Sequence, residues 1–308
     1  MEPLGRGHAG ADGPDLTTLP FVDLVVVVGG ANVDVKARAT DRLVPGTSSP
    51  GTVVRSPGGV GRNVAENLAR LGTRVSLVTA VGADVDGAWL LTETASAGVM
   101  VDQAARVGTS TGAYVAVLGA DGELSAGVSD MAAIDALAPY LVPADLIRSA
   151  ALVVVDGNLA PATVSHVLDT ASAAGVRVVV DPVSVAKAER IAPLIDKRVY
   201  AVTPNQDELA AFGSVRELHD RGVPTPRRRR GPAGSLLSTP DGEVTLAAPA
   251  VTPVDVTGAG DAMLAAFCHR ILAGHPLPEA AAYGHEAAAL TVASPHTVRP
   301  DLRARMAP

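Results

Sequence analysis

The sequence predicts an α/β fold: a doubly wound, mostly parallel sheet flanked by helices, carrying a small β-sheet lid. Three observations predict it. Short β-branched runs alternate along the chain with longer Ala- and Leu-rich stretches of helical period. Two pairs of segments instead alternate apolar with polar residues, the mark of half-exposed strands. Glycine-rich turns follow several apolar runs, at the carboxyl edge where such sheets carry their sites.

The elements follow in chain order. Residues 1–21 are rich in Gly, Pro and Asp, lack an apolar core segment, and read as a disordered tail rather than a signal peptide. The folded domain is expected over 22–298, with 299–308 as a C-terminal tail. Leu24–Val28, Val75–Val78, Leu152–Val155, Val176–Val180 and Tyr200–Val202 are near-continuous apolar runs, as strands buried on both faces require. Gly61–Leu71 reads as a helix with Val64, Leu68 and Leu71 on one face and Gly72 as its stop; Ala162–Ala174, closed by Gly175, is another. Val33–Thr40 with Thr52–Arg55, and Gly112–Leu118 with Glu123–Val128, form the lid, the second pair joined by Ala120-Asp121-Gly122. Such a lid would keep water from a reacting phosphoryl group.

Composition narrows the function classes. With 308 residues, 47% of them hydrophobic, the chain can bury a sizeable core. No apolar run reaches about 18 residues, so no membrane partner is expected. A net charge of −7 argues against nucleic acid. The single cysteine, Cys268, allows no intrachain disulfide; it fits a reducing cytoplasm and, on an apolar helix face, a buried inert thiol.

The chemistry is expected at Val256-Thr257-Gly258-Ala259-Gly260-Asp261, where an extended segment gives way to a helix. Small residues let the backbone approach a ligand, and the free N–H groups of a helix start form a cradle for a phosphate-like anion. Asp261, in the first turn, is placed to take the proton of an attacking hydroxyl. A strand-to-helix turn with an acidic first turn explains the same tetrapeptide without any chemistry. The dinucleotide fingerprint is excluded because Met263 stands where a third small residue is needed, and no P-loop pattern occurs. A second constellation is Asn32 and Asp34, alternate residues at the end of the first strand, with Gly58, Gly59 and Asn63 near them. An amide and a carboxylate on one face suit the vicinal hydroxyls of a ribose, although each is also a common turn or cap residue.

Gly29-Gly30-Ala31-Asn32-Val33-Asp34, Pro57-Gly58-Gly59-Val60-Gly61-Arg62-Asn63, Asn205-Gln206-Asp207-Glu208 and Thr257-Gly258-Ala259-Gly260-Asp261 occur in this order. Together they resemble the ribokinase-like (PfkB) carbohydrate kinases from about Val25 to Ser294, and within them the branch that acts on pseudouridine. That branch is suggested by Ser49-Pro50-Gly51, Ser129-Asp130-Met131 and Asp181-Pro182-Val183-Ser184. The resemblance implies an ATP-dependent kinase for a nucleoside or sugar, with Asp261 as base and Gly258, Ala259 and Gly260 as the anion hole. It assigns Asn32, Asp34, Gly58, Gly59 and Asn63 to the sugar. Asn205, Glu208, Thr257, Gly231 and Gly234 fall on the nucleotide side, Glu208 reaching Mg²⁺ through water, and Asp255 lies near a site for a monovalent cation such as K⁺. Lys187 is a candidate for the nucleobase, though on sequence alone a solvated lysine is the commoner explanation. The half-exposed lid strands are candidates for pairing between two copies.

One stretch departs from the family pattern. Where a β-rich strand normally leads to the nucleotide, this chain runs Val223-Pro224-Thr225-Pro226-Arg227-Arg228-Arg229-Arg230-Gly231. Two prolines and four arginines argue against a buried strand, since proline lacks an N–H and the charges need partners. The expectation is a solvated arginine loop in place of a lost strand, with impaired ATP affinity; arginines gripping the nucleotide phosphates directly and a local shift of reading frame are the competing explanations.

Overall fold

A computed structural model describes residues 24–306. Its strands are β1 (Val25–Val28), β2 (Asn32–Ala39), β3 (Gly51–Gly58), β4 (Val75–Val78), β5 (Ala80–Gly82), β6 (Ala105–Val107) and β7 (Ala113–Leu118). They continue as β8 (Leu124–Asp130), β9 (Leu152–Asp156), β10 (Arg177–Asp181), β11 (Ala201–Val202), β12 (Thr225–Arg229), β13 (Ser235–Thr239) and β14 (Gly242–Leu246). Eight of these form one sheet in the order β14-β13-β12-β11-β10-β9-β1-β4. It is parallel from β4 to β12 and antiparallel at its β13–β14 edge.

The apolar runs are uninterrupted because both faces of the sheet are covered. Val26, Val28, Val153, Val155, Val178 and Val180 point to one side, against Val164, Val167 and Leu168 of the helix Pro161–Ala173. Val25, Val27, Leu152, Val154 and Val179 point to the other, against Val64 and Leu68 of the helix Val60–Leu71 and Leu264, Phe267 and Ile271 of Ala259–Leu272. Cys268 sits in this second layer, where burial pushes its thiol up to about 12, so it is inert as expected. Among the described residues no helix is long and apolar enough to cross a membrane.

The lid is a separate four-stranded sheet in the order β3-β2-β7-β8. It starts where β1 ends: three residues, Gly29, Gly30 and Ala31, carry the chain from the core sheet into β2. The helix Val60–Leu71 starts two residues after β3 and returns to the core. The lid therefore hangs over the carboxyl edge of the main sheet.

Two expectations are corrected. The strand thought lost is present: β12 pairs parallel with β11 and antiparallel with β13, joining the parallel body to the antiparallel edge. Pro226 is tolerated because pairing with β13 begins only at Arg227, so its missing N–H falls at the start of the strand. The Arg227 side chain, 1% exposed, lies over the Phe267 ring at 5.2 Å, with Nη2 donating to Ala281 O at 2.9 Å. Arg229 finds acidic partners, described below. The C-terminal stretch is not a free tail: Leu302–Met306 is helical, and Leu302 and Met306 are buried with Leu71, Ala262 and Ala266. The N-terminal tail, 1–21, lies outside the described residues.

Among the described residues Arg227 has no carboxylate partner, and burial drops its guanidinium to about 9. An unpaired buried charge costs more than its one carbonyl bond and ring contact return. Arg227→Met is therefore expected to raise stability by about 1–4 kcal/mol in urea unfolding. A lower midpoint would show that the arginine contributes net stability.

Candidate active site

Asp156, Asp181, Glu208 and Asp261 come together at the carboxyl edge of the sheet, each at the end of a strand or the start of a helix. Asp156, at the end of β9, accepts from Gly30 N and Gly61 N, both at 2.8 Å through Oδ2, and from Asn158 N at 2.9 Å through Oδ1. Those bonds tie the two glycine turns of the sugar constellation to the sheet. Gly59 makes this possible: its φ of 96° is in the region that favours glycine, and a Cβ there would lie 2.5 Å from Gly30 O.

On the expected sugar side, Asn32, Asp34 and the Gly58-Gly59 turn lie together, while Asn63 turns to Asp261. Asn32 Nδ2 donates to Asp34 Oδ1 at 2.7 Å, and Gly58 leaves room for the Asp34 carboxylate. Burial pushes the Asp34 carboxyl up, opposed by Asn32, Lys36 and Arg62. Asn63 leaves this group and donates through Nδ2 to Asp261 Oδ2 at 2.9 Å, linking the sugar side to the expected base. Arg62 Nη1 donates to Asn63 Oδ1 at 3.1 Å and the same guanidinium pairs with Glu66, which fixes the orientation of the Asn63 amide. Lys187 is not a solvated lysine. It is partly buried, its Nζ donates to Asn158 Oδ1, and burial lowers its ammonium despite the nearby Asp156 charge.

Gly258 begins the helix Ala259–Leu272 in a left-handed conformation, φ 79°. The Ala259 N–H turns back to Val256 O at 3.3 Å. Gly258, Gly260 and Asp261 N–H groups have no protein acceptor among the described residues, so these three are free to face an anion, whereas the Ala259 N–H is engaged within the turn. Asp261 is 9% exposed, and burial pushes its carboxyl up to about 7; Asp181 and Asp156 add to the rise, while Asn63 and Arg229 oppose it. A carboxyl with this poise, next to free helix-start N–H groups, has what a general base working near neutrality requires.

The nucleotide side departs from expectation. Asn205 caps the helix Gln206–Phe212, accepting from Asp207 N and Glu208 N, while Glu208 Oε2 accepts from Asn205 N at 2.8 Å. Glu208 Oε2 also accepts from Arg229 Nη2 at 3.2 Å, and Asp181 Oδ2 faces Arg229 Nη1 at 3.4 Å. These groups do not fit Mg²⁺: the Asn205 oxygen is spent on the cap and the carboxylates face a guanidinium. Among the described residues no group of three or more His, Cys, Asp or Glu is arranged to hold a metal ion. Asp255, expected beside a monovalent cation, accepts instead from Lys36 Nζ of the lid at 3.0 Å and from Thr257 N at 2.8 Å. Gly231 and Gly234 form the turn between β12 and β13, closed by Arg230 N donating to Gly234 O at 2.8 Å.

Sequence reasoning gave Asp156, Asn158 and Asp181 no role of their own and named Arg229 only within the arginine run; the structure places all four beside the expected site residues. Val155-Asp156-Gly157-Asn158 and Val180-Asp181-Pro182 carried a signal, an acid closing an apolar strand at the edge where sites form. The turn after Asp181 is strained: Val183 has φ 70°, worth about 1–3 kcal/mol, and its N–H donates to Asp181 Oδ1 at 2.8 Å.

An α/β sheet with a β lid, a helix-start anion cradle and a buried aspartate define a kinase of ribokinase-like architecture. The pattern of the pfkB family carbohydrate kinases matches residues 22–304, and the chain belongs to that family. It is 34% identical to pseudouridine kinase of Escherichia coli, across 91% of this chain and 94% of that protein. An uncharacterized sugar kinase of the same organism, YeiI, is 33% identical over 99% of this chain and 87% of its own length. A carbohydrate kinase from Agrobacterium tumefaciens superposes with a TM-score of 0.81 at 27% identity, covering 92% of this chain and 96% of that one. The protein is thus a kinase that phosphorylates an alcohol group.

The carboxyl at Asp261 gives a stability test. Unfolded, an aspartyl group ionises near about 3.9; folded, Asp261 keeps its proton to about 7. Between these values the folded state binds more protons, so this group's contribution to stability falls as pH rises and is lowest above 7. Asp261→Asn keeps an oxygen for Asn63 and removes the ionisation. By calorimetry the variant is expected to melt above the wild type near pH 8, with the gap narrowing towards pH 5. A gap independent of pH would show that Asp261 ionises as freely as in the unfolded chain.

Proposed function

We propose that the protein transfers the γ-phosphoryl of ATP to the 5′-hydroxyl of a nucleoside, with pseudouridine the first candidate. The observation that carries this is the Asn63–Asp261 hydrogen bond, 2.9 Å, which joins the sugar-facing residues to a buried carboxyl at an anion cradle. Asn32, Asp34 and the Gly58-Gly59 turn would hold the ribose hydroxyls under the lid, with Lys187 and Asn158 towards the base. The 5′-hydroxyl gives its proton to Asp261 as its oxygen bonds to the γ-phosphorus. The bond from that phosphorus to the bridging oxygen breaks, and ADP leaves with the electron pair. The Gly258, Gly260 and Asp261 N–H groups hold the charge on the phosphoryl in flight. The lid, latched to the core by Lys36 and Asp255, excludes competing water.

Ribose, another sugar or a purine nucleoside remain substrates within the same chemistry. A second reading, a nucleoside-binding protein with impaired use of ATP, is favoured by the arginines that β12 brings to the nucleotide side. An ADP-release assay on pseudouridine, uridine, inosine and ribose, with and without K⁺, separates these. Turnover highest on pseudouridine is expected, and Asp261→Asn should lower it by about 10²–10⁴-fold while nucleoside binding persists. Nucleoside-dependent thermal stabilisation without ADP would instead establish the second reading.

We also propose that lids pair between two copies. The outer strands β3 and β8 expose Val53, Val54 and Val128 by 60–67%. Sedimentation velocity is expected to give a dimer that Val53→Asp dissociates; a wild-type monomer would contradict this.

A further inference from the structure

One guanidinium from the unusual Arg227–Arg230 run lies inside the phosphoryl-transfer pocket, and the reaction above does not use it. The Arg229 side chain is 15% exposed and is fixed from three sides. Its backbone N–H donates to Pro204 O at 2.8 Å, and Arg229 pairs with Asn205 in an isolated parallel bridge, which anchors it beside the capped helix. Its Nη2 lies 3.2 Å from Glu208 Oε2 and its Nη1 3.4 Å from Asp181 Oδ2. A Cβ built on Gly260 would lie 2.5 Å from Nη1, so the guanidinium also borders the anion cradle. It thus fills the space between two buried carboxylates and the helix start where a phosphoryl group would rest.

A divalent ion in such a pocket serves to offset the carboxylates and the phosphates together. Arg229 already offsets the carboxylates. A guanidinium cannot be deprotonated under working conditions, and its planar fork suits two oxygens at once. A second cation entering the same space meets a unit positive charge at contact distance, where the protein screens poorly. We infer that Arg229 is the resident cation of this pocket, standing between Asp181, Glu208 and the cradle where a divalent ion would bind, so that the free protein has little affinity for divalent ions there. That a phosphoryl group rests beside Arg229 depends on the phosphoryl-transfer reading above; the binding statement does not.

The test uses Mn²⁺ alone, with no nucleotide or nucleoside, titrated into the full chain while the signal of the free ion is followed by electron paramagnetic resonance. Arg229→Gln is expected to bind Mn²⁺ at least about tenfold more tightly than the wild type. The gain should vanish in the double variant Arg229→Gln/Glu208→Gln. Wild-type affinity equal to that of Arg229→Gln would overturn the inference. Should Arg229→Gln fail to fold, the wild type and Glu208→Gln decide it: equally weak binding is expected, and tight wild-type binding lost in Glu208→Gln would overturn it. Failure of the kinase reading shows separately, as absent ADP release whatever the Mn²⁺ result.

Discussion

Four carboxylates, Asp156, Asp181, Glu208 and Asp261, are carried to one edge of the sheet, three of them 3% exposed or less, and the site depends on how their mutual repulsion is managed. Each is handled differently. Asp156 is held by backbone N–H groups from the two glycine turns. Asp181 and Glu208 share Arg229. Among the described residues Asp261 accepts a side-chain hydrogen bond from the neutral Asn63 amide alone, the Arg229 charge helps it less, and burial leaves its carboxyl near 7. The group with the weakest compensation is the one proposed to accept a proton. Structural and reactive roles of four like residues thus follow from their partners rather than from their type.

Much of this was legible in the sequence, for a physical reason. A strand buried on both faces must be apolar throughout, and β1, β9 and β10 have no alternative reading. Half-exposed lid strands alternate where one face meets water, as β2 does with Asn32, Asp34, Lys36 and Arg38 between apolar residues, whereas β7 is apolar apart from Tyr114. The residues expected to hold the sugar, and Asp261, lie in strands and helices that flank glycine-bearing turns, whose spacing is set by how closely backbone must approach backbone. The Asn205–Glu208 pair was legible both as a cap and as a nucleotide-side motif, and the cap is what its hydrogen bonds make.

What was not legible depended on contacts distant in sequence. Nothing near Arg227 announces Phe267 and Ala281, and nothing near Arg229 announces Asp181 and Glu208. Local rules against Pro and Arg in a central strand were overridden by pairing with β11 and β13 on either side. The same stretch that argued for a damaged site supplies a cation within it. The short C-terminal helix was missed because its anchor is two residues, Leu302 and Met306, with too few turns to show a period.

The central claim is that Asp261, poised by burial near 7, is the base for a ribose hydroxyl. The pH dependence of kcat/KM for pseudouridine tests it most directly, since it reports the free enzyme. The account predicts a rise of about tenfold per pH unit in acid, levelling near about 7 as Asp261 loses its proton. A profile flat from about pH 5 upward would place the ionisation at an ordinary aspartate value and contradict it.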